Sequence, residues 1–361
     1  MSGITLMMLG NFALAESVTP ARLFGWGDNY NGAGGWNLGE TEFGARKSSP
    51  VQLGGAADWL QVSGAYNFVG SLNNSSPVQI GSLTNWTGGV LMQEGTTCHI
   101  IKKDGSLWGW GNNEYGAVGN GVKVGKEKIS SPVQIGSLTT WASTTGGGYA
   151  ACQAVKTDGT LWMWGAATQG GLGNGTTSGD ISSPVQLGSL TNWLKGATGG
   201  ENHQVHIKTD GTLWSWGNNS YGQLGLGDTS LRNSPVQVGS STGWTAVGAG
   251  YQQSGGIDAG KLYMWGRNSN GEVGDNSTTQ RNTPTQIGSL TNWQDVRPGN
   301  AMVIALKTNG TLWAWGANYE GQMGINVEHV KYSSPVQIGS QTDWLRIHLG
   351  SASGITCWAF R

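Results

Sequence analysis

An all-β propeller built from seven repeats is the fold this sequence predicts, and three observations predict it. Seven copies of a proline-centred tetrapeptide run along the 361 residues, from Ser49-Pro50-Val51-Gln52 to Ser334-Pro335-Val336-Gln337, with Thr283-Pro284-Thr285-Gln286 as the one variant. Each copy is followed by a glycine and then a tryptophan: Trp59, Trp86, Trp141, Trp193, Trp244, Trp293 and Trp344. A period near fifty residues marks an array or a propeller. Finally, the chain opens on the second half of a hairpin and closes on the first half of one, as a ring tied at its ends would.

The copy that starts at Trp193 shows what each element is for. Residues 204–208 (Gln-Val-His-Ile-Lys) read as a strand. Asp210-Gly211 reads as a two-residue hairpin turn, because glycine tolerates the positive φ such turns need. Thr212-Leu213-Trp214-Ser215-Trp216 returns as the next strand, with both tryptophans on one face because side chains alternate. In neighbouring copies this strand is apolar on both faces, as in Leu161-Trp162-Met163-Trp164. It therefore needs cover on both sides, which adjacent blades supply. The glycines of Gly222-Gln223-Leu224-Gly225 then predict a tight loop that tucks one apolar residue inward. Pro235 is expected to begin an edge strand, where a missing N–H is tolerated. The sum is about four short strands, one propeller blade.

The ends supply closure. Arg22-Leu23-Phe24-Gly25-Trp26-Gly27 and Gly354-Ile355-Thr356-Cys357-Trp358-Ala359-Phe360 would complete one blade from both termini and remove exposed edges. One unit departs from the pattern. Trp59 and Trp86 are 27 residues apart where the later spacings are 49 to 55, and the hairpin and glycine loop are missing. About two strands fit in that length. The expected architecture is six full blades plus one truncated blade over residues 21–361, with 1–20 as an apolar tail. That tail could fill the slot beside the short blade or dock on a partner.

The run Asp210-Gly211-Thr212-Leu213-Trp214-Ser215-Trp216-Gly217-Asn218-Asn219-Ser220-Tyr221-Gly222-Gln223-Leu224-Gly225, followed by Ser234-Pro235-Val236-Gln237, closely resembles the RCC1 repeat of the regulator-of-chromosome-condensation family. The resemblance covers roughly residues 21–361 and implies a seven-bladed propeller. Members tend to carry a histidine seven positions before the turn aspartate. Here His203 matches, while Thr97, Ala151 and Met302 do not. The family's best-known activity, guanine-nucleotide exchange on the small GTPase Ran, depends on a wedge-like insertion for which these regular repeats leave no room. Exchange is therefore not expected.

Composition narrows the function classes. Formal charge is -1 and only 11% of residues are charged, against about 25% in an ordinary domain. No basic footprint for nucleic acid or anionic membrane is present. No stretch reaches the roughly 18 to 20 apolar residues of a membrane-spanning helix. Residues 4–10 are apolar and Ala13-Leu14-Ala15 resembles a cleavage site, but no Lys or Arg precedes them, which argues against a secretory signal. Cys98, Cys152 and Cys357 fall 11 to 13 residues after a repeat tryptophan. They read as buried small residues on one equivalent strand rather than as a disulfide framework.

No catalytic, metal or cofactor constellation stands out. His99, His203, His206, His329 and His348 lack metal-ligand spacing, since His203 and His206 fall on opposite faces of a strand. Asp104, Asp158 and Asp210 belong to hairpin turns. The glycine loops lack the following helix and the GK[ST] of a phosphate loop. The places where the repeat fails are more informative, because loops on a rigid scaffold carry function. Candidate partner contacts are Leu6, Met7, Met8 and Leu9 in the tail, Trp36 and Phe43 in the irregular loop 32–47, and His329 in the loop 326–332. The loop 122–129 is a third irregular segment.

The sequence is read as a non-enzymatic structural or interaction protein without cofactor, displayed as a binding or decoration module. The opening ten residues resemble the N-termini of some tailed-phage virion proteins. The expected setting is therefore a virion, tail- or capsid-associated, with neighbouring virion proteins as partners. The alternative is a secreted or cell-surface bacterial binding module, for which a host-surface glycan is the expected ligand.

Overall fold

The computed structural model describes residues 23–28, 46–52, 86–91, 97–123, 128–146, 151–200, 202–350 and 356–361. These residues form six four-stranded antiparallel sheets. Five are contiguous in sequence, each strand beside the next. They comprise β3 (Trp86–Leu91), β4 (Thr97–Lys102), β5 (Leu107–Asn112) and β6 (Lys128–Gln134); then β7 (Trp141–Gly146), β8 (Ala151–Lys156), β9 (Leu161–Gly165) and β10 (Ile181–Gln186). The third set is β11 (Trp193–Thr198), β12 (His203–Lys208), β13 (Leu213–Gly217) and β14 (Arg232–Gln237). The fourth is β15 (Trp244–Ala249), β16 (Gln253–Asp258), β17 (Lys261–Gly266) and β18 (Arg281–Gln286). The fifth is β19 (Trp293–Pro298), β20 (Met302–Lys307), β21 (Leu312–Asn318) and β22 (Val330–Gln337).

The sixth sheet joins the two ends of the chain. β1 (Leu23–Asp28) lies between β2 (Arg46–Gln52) and β24 (Thr356–Phe360), and β24 in turn pairs with β23 (Arg346–Gly350). The register runs from Leu23 opposite Phe360 to Gly27 opposite Thr356. The expected pairing of N- and C-terminal strands in one sheet is therefore present. The truncated blade and the apolar tail lie outside the described residues.

The first strands of successive sheets pack on one another, β3 on β7, β7 on β11, β11 on β15, β15 on β19 and β19 on β23, and so form the inner edge. The proline-bearing fourth strands form the outer edge and mix half-buried with exposed positions, as in β14. Second and third strands are the driest. All six residues of β8, β12 and β20 are buried, which is why they carry no polar alternation.

Two local expectations need correction. The turn at Asp210-Gly211 is a three-residue one, since Lys208 N–H bonds Thr212 O and Gly211 N–H bonds Lys208 O. Only Gly211 has positive φ (77°), the pattern of a turn ending in one left-handed residue. The two-residue form occurs instead between β16 and β17. There Asp258 faces Lys261 directly and both Ala259 (φ 47°) and Gly260 (φ 76°) are left-handed. Pro235 does not begin its strand either. It sits inside β14 between Arg232, opposite Gly217, and Val236, opposite Ser215. The register shifts across that interval, so the missing N–H falls in a bulge.

Candidate interaction surface

The repeated residues are spent on building blades, and the contacts say how. The tryptophan near the end of the third strand is fully buried in four blades, where Trp164, Trp216, Trp265 and Trp315 all have zero exposure, and half-buried at Trp110 of β5. Each of the four buried indole N–H groups donates to a carbonyl in the glycine loop of the preceding blade. The pairs are Trp164 to Ala117 O (2.9 Å), Trp216 to Gly171 O (3.1 Å), Trp265 to Gln223 O (2.8 Å) and Trp315 to Glu272 O (2.7 Å). The second glycine of the loop lets the backbone come that close. A Cβ on Gly274 (φ +85°) would stand 2.7 Å from Trp315 Nε1. The tucked apolar residues Val118, Leu172, Leu224, Val273 and Met323 are fully buried, as expected.

The first tryptophan of the same strand makes a different contact. Trp214 Nε1 donates to Thr212 Oγ1 (2.9 Å), and Thr212 in turn donates to Asp210 Oδ1 (2.6 Å). Lys208 Nζ lies 3.4 Å from the centre of the Trp214 ring. The same set recurs with Lys156, Asp158, Thr160 and Trp162. The hydroxyl and amide of the +2 residue hold the Asp104, Asp158 and Asp210 carboxyls below their usual range. These aspartates are turn residues, as the sequence indicates.

The cysteines and histidines are likewise occupied in packing. Cys98, Cys152 and Cys357 are buried thiols on second strands. Cys152 Sγ donates to Ala117 O and Cys357 Sγ to Gln322 O, and burial raises all three thiols above their ordinary range. His203 Nε2 contacts Ser254 Oγ of the next blade at 3.0 Å, whereas His206 stacks on Trp216 with centroids 4.6 Å apart. The two do face opposite ways. Burial drives His99 down to about 4 and His203 and His206 down to about 3, so they are neutral imidazoles in ordinary buffers. At the position of His203 in the next blade, Gln253 Nε2 bonds Gly299 O (2.8 Å), a second means of stapling one blade to its neighbour.

What remains for partners is the loop end of the blades. An up-and-down sheet puts its third-to-fourth-strand connections at one end and its hairpin turns at the other. In four of the five contiguous blades that connection is pinned from within by a buried asparagine, which the repeat motif alone does not mark out. Asn219 Oδ1 accepts from Leu224 N–H (3.0 Å) while its amide donates to Asp228 O (3.0 Å) and Ser230 O (3.1 Å). Asn113, Asn268 and Asn318 do the same for Val118, Val273 and Met323. In the blade of β7–β10 the equivalent residue is Ala167. There the loop instead forms a 3-10 turn at Thr168–Gly170, with Gln169 forced to φ 55°, and Asn202 of the following blade reaches across to Thr168 Oγ1 (3.0 Å).

Held this way, the loops present large side chains to solvent: Val122, Tyr221, Leu231, Tyr319 and Val327 are all exposed. The Arg267 guanidinium lies 6.0 Å from the Tyr221 ring, and Tyr319 Oη contacts Asn270 Oδ1 at 3.3 Å. His329 is here too. Its side chain is 72% exposed, its φ is +58°, and its N–H bonds Asn318 O at 2.7 Å. Of the predicted contacts, Leu6, Met7, Met8, Leu9, Trp36 and Phe43 lie outside the described residues, so His329 is the one the structure places.

The family model for the regulator of chromosome condensation (RCC1) repeat matches residues 104–152, 158–207, 210–257, 259–306 and 309–354. The chain belongs to the RCC1-repeat family. It is 32% identical over 139 residues to the ultraviolet-B receptor UVR8 of Arabidopsis thaliana, covering 38% of this chain and 31% of the receptor. It is 28% identical over 156 residues to the human E3 ubiquitin-protein ligase HERC2, covering 42% of this chain and 3% of the ligase. The aligned stretches thus span a third or less of these curated relatives. Among solved structures, human WBSCR16 superimposes with TM-score 0.77 at 19% identity, covering 94% of this chain and 98% of that one. Yeast RCC1 (Prp20), solved bound to Kap60, gives TM-score 0.64 at 17% identity, covering 95% and 89%. At these identities the RCC1-like propeller fold is what the likeness carries. Among the described residues no group of three or more His, Cys, Asp or Glu side chains is placed to hold a metal, and no helix is long and apolar enough to cross a membrane.

Proposed function

We propose that this RCC1-repeat propeller is a non-enzymatic interaction module, carried as a tail- or capsid-associated component of a phage virion with its loop end presented to a protein partner. Propellers of this family often act as interaction modules. Yeast RCC1 binds Kap60, and Prp20p has been characterised for binding to Gsp1p and histones. The observation that carries the reading is the division of labour within each blade. The aspartates, cysteines, lysines and buried histidines of the repeats are consumed by turns and blade contacts, while the asparagine-pinned loops expose tyrosine, valine and leucine side chains. Exposed apolar side chains on rigid loops fit a partner surface better than a reaction centre.

Sedimentation of particles from the native source tests the setting. The chain should travel with intact virions and resist a salt wash. Its recovery only as soluble or cell-surface protein would overturn the virion assignment. A second reading, a surface module that binds carbohydrate, is favoured by Tyr221 and Tyr319, aromatic faces flanked by Arg267 and Asn270. Glycan-array binding that disappears in Tyr221→Ala and Tyr319→Ala would favour it over a protein partner.

A further inference from the structure

The turn between second and third strands has one design in four blades, where the N–H of Lys102, Lys156, Lys208 and Lys307 bonds the carbonyl of Ser106, Thr160, Thr212 and Thr311. In three of them an aspartate holds the turn. Oδ1 of Asp104, Asp158 and Asp210 accepts from both the N–H and the hydroxyl of Ser106, Thr160 and Thr212. In the blade of β19–β22 the position is Asn309. Its Oδ1 accepts the same pair from Thr311, at 3.2 Å for the N–H and 2.8 Å for the hydroxyl. The matching distances at Asp210 are 3.0 and 2.6 Å, the order expected when a neutral acceptor replaces a charged one. The rest of the set is unchanged. Trp313 Nε1 donates to Thr311 Oγ1 (2.9 Å), and Lys307 Nζ lies 3.7 Å from the centre of the Trp313 ring and 4.6 Å from that of Trp293.

The neutral side chain leaves a charge unanswered. Lys156 and Lys208 are nearly buried, and burial lowers both ammonium groups while the Asp158 and Asp210 carboxylates offset it. Lys307 is as dry, at 4% exposure, and burial lowers it with no carboxylate among the described residues to offset it. The turn is thus shaped for an aspartate and holds an asparagine. A glycine must follow it. Gly310 has φ +72°, and a Cβ there would run into Thr342 O, as one on Gly211 would into Thr242 O. An asparagine in this turn is therefore an Asn-Gly pair, in which no side chain hinders the glycine nitrogen on its way to the asparagine Cγ.

Three other Asn-Gly pairs occur among the described residues, and each is held more firmly. Gly121 N–H bonds Ser182 O and Gly175 N–H bonds Asn233 O, both in the next blade. Asn270 is clamped by Glu272, which accepts from its N–H (2.6 Å) and its side-chain amide (2.9 Å). Asn309 is exposed, and Gly310 N–H bonds Lys307 O inside the turn itself. Local opening of one turn frees that nitrogen without parting two blades.

We propose that Asn309 is a site of spontaneous deamidation, and that the mature turn carries aspartate there. The Gly310 nitrogen attacks Asn309 Cγ, its proton passes to solvent, and the side-chain nitrogen leaves as ammonia, which closes a cyclic imide. Water then adds at Cγ and breaks the new Cγ–N bond, which restores the peptide and leaves a carboxylate. Nothing is oxidised or reduced; a water is consumed and an ammonia released. Addition at the main-chain carbonyl would instead lengthen the backbone by a methylene inside a turn closed by Lys307 N–H on Thr311 O (3.0 Å), so the fold favours aspartate over isoaspartate. The new carboxylate stands to Lys307 as Asp210 stands to Lys208. The assignment is independent of the partner-binding reading, because it concerns the hairpin end of the blades.

The test is peptide mapping by mass spectrometry of the full folded chain, aged in warm, mildly alkaline buffer. Conversion to aspartate at Asn309 should run ahead of conversion at Asn120, Asn174 and Asn270. Asn309→Asp supplies the product directly, in a turn that three other blades already use. It should melt about 1–2 °C above fresh wild type, the scale of one modest ion pair, and ageing should move wild type toward it. An amide retained at Asn309, conversion led by another pair, isoaspartate as the main product at residue 309, or an Asn309→Asp chain that melts no higher than fresh wild type would each overturn the proposal.

Discussion

The second to fourth strands of each blade and the first strands obey different rules. In the former the same residues recur and make the same contacts: an indole to the preceding loop, a lysine over a tryptophan, an aspartate under a threonine. In the first strands only the opening tryptophan recurs. Its indole N–H has no hydrogen-bond partner in any of Trp141, Trp193, Trp244, Trp293 and Trp344. The ring meets neighbouring tryptophans edge-on instead, as Trp293 does Trp313 at 6.0 Å. So the outer part of the blade is specified by directed bonds and the opening tryptophan by area. Other first-strand positions are released from the repeat and vary from blade to blade.

The largest expected contrast comes from removing an indole from each region. Trp315→Phe loses ring area and leaves Glu272 O without its donor, and should cost roughly 2–4 kcal/mol. Trp293→Phe loses area but no hydrogen bond, and should cost about 1–2 kcal/mol less. Equal losses in urea unfolding would break the distinction. Next, Asn219→Ala removes the pin of one loop and should cost about 1–3 kcal/mol. The loop at Ala167 shows what the backbone does without that amide, so the reciprocal Ala167→Asn change sharpens the comparison if it stabilises.

A smaller effect is expected at His206, a non-repeating residue inside the repeating part. Both ring nitrogens lack partners, and a Cβ on Gly196 opposite would fall 2.3 Å from the ring. His206→Leu should stabilise the fold by about 1 kcal/mol at neutral pH by removing unsatisfied nitrogens. The sign of the pH effect follows from burial. The folded-state value of about 3 lies below the ordinary histidine value of 6.5, so the unfolded chain binds the proton first. Stability is therefore complete above about pH 6.5 and is lost as pH falls toward 3. The leucine variant should reduce that acid slope by up to about 1.4 kcal/mol per pH unit; an unchanged slope would contradict the buried neutral assignment.

The sequence made the blade legible because its signals are local. The turn glycines, the tucked Leu224 and the paired Trp214 and Trp216 all lie within one repeat and obey simple alternation. Closure could be read from Phe24 and Cys357 because the two half-hairpins are complementary. The donor of Trp315 to Glu272 was out of reach, since it spans two blades. The asparagine pin was visible as a recurring residue at 113, 219, 268 and 318, but its role needs the loop geometry. The Asp295–Arg297 ion pair has no period at all. It sits at first-strand positions that other blades fill with Ser143, Thr145, Ala246 and Gly248, so no repeat announces it. Pro235 belongs to the strand the sequence predicts but lies inside it rather than at its start, because sequence shows a missing N–H but not where the bulge will fall.

The sheet that joins the ends also sets a timetable. β1 leaves the ribosome before the other strands described and pairs with β2, but its other edge belongs to β24, which follows only after every other strand described. Contacts of such long sequence separation form slowly. Until β24 is made the pair of β1 and β2 therefore displays a row of unsatisfied amides and carbonyls that any extended peptide could claim. The exposure ends only with a strand made after every other strand described.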